Sequence, residues 1–144
     1  MIEDKRILGI TLARGGSKSV PRKNIKEICG KPLIAYTIEE ALKSSYIDDF
    51  IVSTDDVEIK SVAEKYKANV PFLRPSELSD DQSSSSSALI HAVKFMETAN
   101  SCKYDLIVEL MCTNPLKNKL DIDLVIEKAS KTNSESVIAV HKLD

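Results

Sequence analysis

Ile7-Leu-Gly-Ile-Thr-Leu-Ala13, followed at once by Arg14-Gly-Gly-Ser-Lys-Ser-Val-Pro-Arg-Lys-Asn24, decides the fold class of this chain. The first segment is almost continuously apolar. A short run of that kind suits a strand buried on both faces of a parallel sheet. The second segment is polar and carries Gly15, Gly16 and Pro21, and with Gly30 it reads as one long loop over 14–31. A long loop in a compact domain is usually functional or disordered.

Downstream the pattern alternates. Pro32 suits the first turn of a helix, with Ile34, Ile38, Ala41 and Leu42 as its apolar face. Phe50-Ile-Val-Ser-Thr54 is a second strand, and Asp55 or Asp56 can cap the next helix, which carries Val57, Val62 and Ala63. Val70-Pro-Phe-Leu73 is a weaker strand, because proline cannot donate to a ladder. After a loop over 74–82, a helix over 83–97 has Ala88, Leu89, Ala92, Val93 and Met96 as its buried stripe. Asp105-Leu-Ile-Val-Glu-Leu110 is a fourth strand, followed by a loop over 111–119, a helix over 120–130 and a fifth strand at Ser136-Val-Ile-Ala-Val140. Strands and helices in alternation predict an α/β fold: a mostly parallel sheet, right-handed crossovers and helices on both faces. Ligands of such sheets bind outside the carboxyl ends of the strands. Those ends lead into 14–31, 53–56, 74–82 and 111–119.

Composition narrows the function classes. At 144 residues, 42% hydrophobic and 29% charged, the chain fits one soluble globular domain rather than a disordered or disulfide-rich one. No apolar run approaches the roughly 20 residues of a membrane span, and the N-terminus does not read as a secretory signal. The net charge of -2 gives no overall basic field for nucleic acid, and 5% aromatics without tryptophan offer no stacking platform. Cys29, Cys102 and Cys112 are odd in number and lack metal-ligand spacing, which predicts a reduced cytoplasmic chain. Cys112 reads as packing. His91 reads as structural or surface, and neither it nor His141 has a zinc-like companion set.

The first loop concentrates Arg14, Lys18, Arg22 and Lys23 beside two adjacent glycines. Glycines permit close backbone approach and positive φ, and cations around exposed amides favour a polyphosphate. The competing reading is a solvated surface loop. The P-loop pattern is not met, since Ser17 stands where its second glycine belongs, and G-x-G-x-x-G is absent. The serine run at 83–87 is either a flexible linker or the N-terminus of a helix whose amides and hydroxyls face a nucleotide.

Ala13-Arg-Gly-Gly-Ser-Lys18 followed by Pro21-Arg-Lys-Asn24 resembles the signature of the acylneuraminate cytidylyltransferases, the CMP-sialic acid synthetase-like enzymes. The resemblance continues in order through Ser53-Thr-Asp55, Leu73-Arg-Pro-Ser-Glu-Leu78 with Asp81, and Thr113-Asn-Pro-Leu-Lys117 with Asp121-Ile-Asp123. It implies a Rossmann-like nucleotidyltransferase fold that joins CTP to a sialic-acid-like nonulosonic acid and releases pyrophosphate with Mg²⁺ assistance. Arg14 and Lys23 would then hold the triphosphate and stabilise the departing pyrophosphate. Gly15, Ser17, Lys18 and Asn24 would bind the nucleotide from the same loop. Arg74 with Ser84 and Ser85 would sit at the cytosine and ribose.

Two differences from the family pattern stand out. Met111 and Lys117 replace a glutamine and an arginine, and lysine lacks the bidentate fork. Family members also continue further, with a dimerisation excursion, part of the sugar pocket and metal-binding aspartates. Residues 1–144 are therefore expected to be the nucleotide-binding N-terminal portion of a larger, homodimeric domain, with Mg²⁺ ligands outside this chain. Exposed dimer-contact surface would then favour self-association. Asp121 and Asp123 read as helix-capping residues rather than metal ligands. A nucleotide-binding module without turnover is the alternative. A response-regulator-like domain would need an acidic pair after the first strand, where Arg14-Gly-Gly16 stands instead.

Overall fold

A computed structural model describes residues 5–15, 23–78, 85–112 and 118–132. The strand expected at 136–140 lies outside them, as do residues 113–117 of the loop at 111–119. In chain order the elements are β1 (Ile7–Leu12), a 3-10 turn (Lys23–Ile25), β2 (Glu27–Ile28), β3 (Lys31–Pro32), α1 (Leu33–Lys43) and β4 (Asp49–Ser53). There follow α2 (Val57–Lys65), a second 3-10 turn (Ser76–Leu78), α3 (Ser85–Asn100), β5 (Leu106–Glu109) and α4 (Lys119–Thr132).

β1 is the central strand, flanked by β4 and β5 in the order β4-β1-β5, and both pairings are parallel. Residues 69–73 add only two parallel bridges outside β4, Ile51 with Asn69 and Thr54 with Leu73, as Pro71 between them predicts. Side chains of β1 alternate between two cores. Ile7 and Ala13 join Phe50, Val52 and Leu110 in one core, which α1, α2 and α4 close with Ile34, Ile38, Ile59, Ile122 and Ile126. Leu8 and Ile10 join Ile51 in the other, closed by Ala92 and Met96 of α3. The apolar run at the start of the chain is thus buried on both faces, and the α/β architecture with helices on both sides of a parallel sheet is present.

Several local expectations are corrected. The segment 14–31 is not one loop, because β2 and β3 form an antiparallel hairpin within it. Cys29 (φ 52°) and Gly30 (φ 85°) are both left-handed at its tip, as a type I′ turn requires. Pro32 precedes α1 as its N-cap rather than lying in the first turn. Leu42 is 48% exposed and Val57 65% exposed, so neither belongs to its helix's buried face. Ile59 and Ala63 form that face in α2 instead.

The two aspartates of α4 also divide. Asn118 and Asp121 cap the helix reciprocally: Asn118 Oδ1 accepts from the Asp121 amide at 2.9 Å, and Asp121 Oδ2 from the Asn118 amide at 3.2 Å. Asp123 does not cap its own helix. It is buried and accepts from the Ser44 hydroxyl and, at 3.2 Å, from the Ser45 amide, just past the end of α1. The Tyr46 hydroxyl donates to Glu127, and the Lys119 amide donates to Glu40 at 2.9 Å, so α4 is held to α1 and to the turn that follows it. Among the described residues, no helix is long and apolar enough to cross a membrane.

Candidate active site

Because β1, β4 and β5 are parallel, their carboxyl ends share one edge of the sheet. The chain leaves β1 through Ala13, whose amide donates to the Ser53 carbonyl at 2.9 Å and carries the ladder one step further. Arg14 and Gly15 therefore emerge beside the β4–α2 junction. Gly15 donates its backbone N–H to Asp55 Oδ1 at 2.9 Å. A Cβ on Gly15 would lie 2.5 Å from Asp56 Oδ2 and 3.0 Å from Asp56 Cβ. Close approach, rather than a left-handed φ, is what calls for glycine here.

The neighbouring carboxylates serve different ends. Asp56 is the N-cap of α2, with Oδ1 accepting from the amides of Glu58 (2.8 Å) and Ile59 (3.0 Å). Buried Thr54 fixes it by accepting from the Asp56 amide at 3.1 Å. Asp55 turns back to the Arg14–Gly15 segment and does not cap α2.

Two residues expected at the nucleotide are themselves buried. Asn24, in the first 3-10 turn, is 5% exposed and donates from Nδ2 to the Arg14 carbonyl at 3.2 Å. Lys23, its neighbour in the same turn, is half-buried. Arg74 is 6% exposed, and its amide donates to the Thr54 carbonyl at 2.7 Å. Burial pulls the Arg74 guanidinium below its ordinary pKa. The Asp55 charge opposes that shift, and the Arg14 charge adds to it. Arg14, Asp55 and Arg74 thus act on one another electrostatically, Arg14 from the end of β1, Asp55 from the end of β4 and Arg74 from just past the Leu73 bridge.

Of the sequence-predicted site residues, Arg14, Gly15, Lys23, Asn24 and Arg74 belong to the carboxyl edge of the sheet and its first loop. Ser17, Lys18 and Ser84 lie outside the described residues, and Ser85 is the first residue of α3. Asp55 and Thr54, named above in a motif without a role, join the site. The signal for Asp55 is an acidic pair at the end of a strand, which the sequence leaves open between two capping candidates. Met111 is 60% exposed beyond β5, and Cys112 packs in the larger core as expected. Among the described residues no group of three or more His, Cys, Asp or Glu could hold a metal. Each of Asp55 and Asp56 uses its Oδ1 within the fold, Asp55 on the Gly15 amide and Asp56 on the α2 cap.

A cytidylyltransferase family model matches residues 8–144. The pseudaminic acid cytidylyltransferase of Campylobacter jejuni is 44% identical over 137 residues, which are 95% of this chain and 59% of that protein. The CMP-N,N'-diacetyllegionaminic acid synthase of Legionella pneumophila is 39% identical over 140 residues, 94% of this chain and 57% of that one. The chain thus spans a little under three fifths of the length of these curated relatives. Among solved structures, a CMP:2-keto-3-deoxy-manno-octonic acid synthetase in complex with CTP superposes with a TM-score of 0.73 at 21% identity, covering 90% of this chain and 49% of that one. That likeness supports the nucleotidyltransferase fold. Match and fold agree with the basic loop at the end of the first strand: the chain belongs to the cytidylyltransferase family.

Proposed function

We propose that this chain supplies the nucleotide site of an enzyme that transfers CMP from CTP to a sialic-acid-like nonulosonic acid and releases pyrophosphate. The observation that carries the reading is the cluster at the carboxyl edge of the sheet. Arg14 leaves β1 near enough to buried Arg74 for their charges to interact, with Asp55 partly offsetting them and Lys23 on the adjoining turn. Positive charge gathered at this edge, in a chain of net charge -2, favours a polyanion there. The matched relatives act on pseudaminic and diacetyllegionaminic acids, by their names. We therefore take pseudaminic acid as the first acceptor to test.

In this reading Arg14 and Lys23 grip the triphosphate and neutralise the charge that builds on the departing pyrophosphate. The sugar's anomeric hydroxyl attacks the α-phosphorus. Gly15, Ser17 and Lys18 line the phosphate loop, Asn24 orders it, and Arg74, Ser84 and Ser85 face base and ribose. Such chemistry needs positioning and preorganised positive charge rather than a covalent intermediate. Mg²⁺, a homodimeric assembly and a cytoplasmic setting complete the proposal, with metal ligands supplied from outside the described residues.

Calorimetric titration with CTP tests it. Micromolar-range binding is expected for the parent chain. Arg14→Ala should weaken it about tenfold to a hundredfold, the worth of a charged hydrogen bond. ATP should bind less tightly than CTP. Equal affinity for both nucleotides, or CTP binding untouched by Arg14→Ala, refutes the assignment. Pyrophosphate release on adding CTP and pseudaminic acid then tests the transfer.

A further inference from the structure

The Arg14 carbonyl and the Gly15 N–H are the two ends of a single peptide group, and each is bonded to a side chain from a different part of the fold. Asn24 Nδ2 donates to the carbonyl at 3.2 Å, and Asp55 Oδ1 accepts from the N–H at 2.9 Å. The peptide is trans, so its two polar ends point in opposite directions and the two side chains flank it. Asn24 comes from the 3-10 turn ten residues on, and Asp55 from the β4–α2 junction forty residues on. Rotation of this peptide plane would break both bonds together.

We infer that Asn24 and Asp55 are positioning residues: they clamp the Arg14–Gly15 peptide from both sides and so aim the Arg14 side chain at a nucleotide's phosphates. The inference rests on the CTP reading above. Glycine at position 15 leaves no room for a Cβ against Asp56 and no side chain to restrict the loop. An unrestrained glycine loses much conformational freedom on binding, and that cost falls on affinity. The clamp removes the cost before the ligand arrives.

The placement of Asp55 gives the inference a distinguishing sign. A carboxylate next to a polyphosphate site repels the ligand, so if charge alone mattered, any neutral replacement should tighten CTP binding. If the clamp matters, the acceptor atom decides the outcome. Asp55→Asn keeps an oxygen for the Gly15 amide and drops the charge, whereas Asp55→Ala drops both.

The test is CTP titration by calorimetry on the parent chain, Asp55→Ala, Asp55→Asn and Asn24→Ala. Amide hydrogen exchange at Gly15 is read by NMR in the same proteins without nucleotide. Asp55→Ala and Asn24→Ala should each weaken CTP binding about fivefold to tenfold, the worth of one hydrogen bond. Asp55→Asn should recover affinity to within about twofold of the parent. Gly15 exchange should speed up in Asp55→Ala and return towards the parent rate in Asp55→Asn. Affinity that is unchanged or raised in Asp55→Ala overturns the clamp, and so does equal loss in Asp55→Ala and Asp55→Asn. Gly15 exchange indifferent to Asp55→Ala overturns it even if that variant binds poorly for other reasons. A parent chain that binds no CTP overturns the nucleotide reading and the positioning role with it, while the Gly15 exchange pattern separates that failure from an absent clamp.

Discussion

Replacing Gly15 with alanine should destabilise the protein through the helix on the other side of the contact. The new Cβ would meet Asp56 Oδ2 at 2.5 Å and Asp56 Cβ at 3.0 Å, distances at which something must move. Asp56 is the movable partner, and its displacement costs the N-cap of α2, where it accepts from Glu58 and Ile59. A lost aspartate cap is worth about 0.5–2 kcal/mol, and disturbing the Gly15–Asp55 bond adds about 1 kcal/mol. Alanine also restricts the unfolded chain, which returns about 0.4–1 kcal/mol. The net expectation is a loss of about 1–2 kcal/mol. In a domain of this size that lowers the melting temperature by about 2–8 °C. Thermal unfolding by circular dichroism measures it. The same substitution made on top of Asp56→Gly should behave differently. Glycine is nearly as good a cap as aspartate, differing by a few tenths of a kcal/mol, and it removes both clashing atoms. Gly15→Ala should then cost little or even stabilise, giving a coupling of about 1 kcal/mol or more in the double-mutant cycle. Strict additivity of the two substitutions would refute the steric argument.

Asp123→Ala leaves the Ser44 hydroxyl and Ser45 amide without their acceptor and should cost about 1–3 kcal/mol in urea unfolding; Asp123→Asn should recover part of it. Ser53 Oγ is buried with no hydrogen-bond partner among the described residues, so Ser53→Ala should leave the urea midpoint unchanged or raise it. Tyr104 is pushed up to about 12, first by burial and then by its hydrogen bond to Asp49. Its folded pKa exceeds the ordinary 10.0, so its contribution to stability is complete below pH 10.0 and is lost between there and about 12. Stability of Tyr104→Phe should fall less steeply than that of the parent across that window, and its absorbance titration should lack the last phenolate to form.

The sheet was legible wherever one periodicity settled it. Ile7–Leu12 read as a doubly buried strand because apolar residues occupy both of its faces, and the structure covers both. The 69–73 edge was weakened by Pro71 in the sequence and is reduced to two bridges in the fold. The β2–β3 hairpin leaves little signal in the sequence because its strands are two residues long, Glu27 and Ile28 are exposed, and Cys29-Gly30 is not a usual turn pair. Leu42 reads as part of its helix's apolar face because an apolar residue near a buried stripe looks the same in sequence whether or not a neighbour covers it.

At the candidate site, the cations of the first loop were evident from charge and glycine alone. The division of labour between Asp55 and Asp56 was not, since only a contact forty residues away distinguishes a loop anchor from a helix cap. Asn24 likewise read as a ligand contact by its place in a motif, while its amide holds the Arg14 carbonyl.

The junction between β4 and α2 carries a consequence for how the chain can vary in length. Thr54, Asp55 and Asp56 are consecutive, and each makes its own fixed bond. Thr54 steadies the cap, Asp55 reaches back to Gly15, and Asp56 starts the helix. Inserting or deleting a single residue there would shift the register, setting the loop anchor where the cap must be or the cap where the anchor must be. The hairpin tip at Cys29-Gly30 is exposed, and the Tyr36 hydroxyl that donates to the Ile28 carbonyl and, at 3.5 Å, to the Cys29 carbonyl caps no helix there. Engineered insertions should therefore be accepted at the tip and rejected at the junction, although both are turns of similar size.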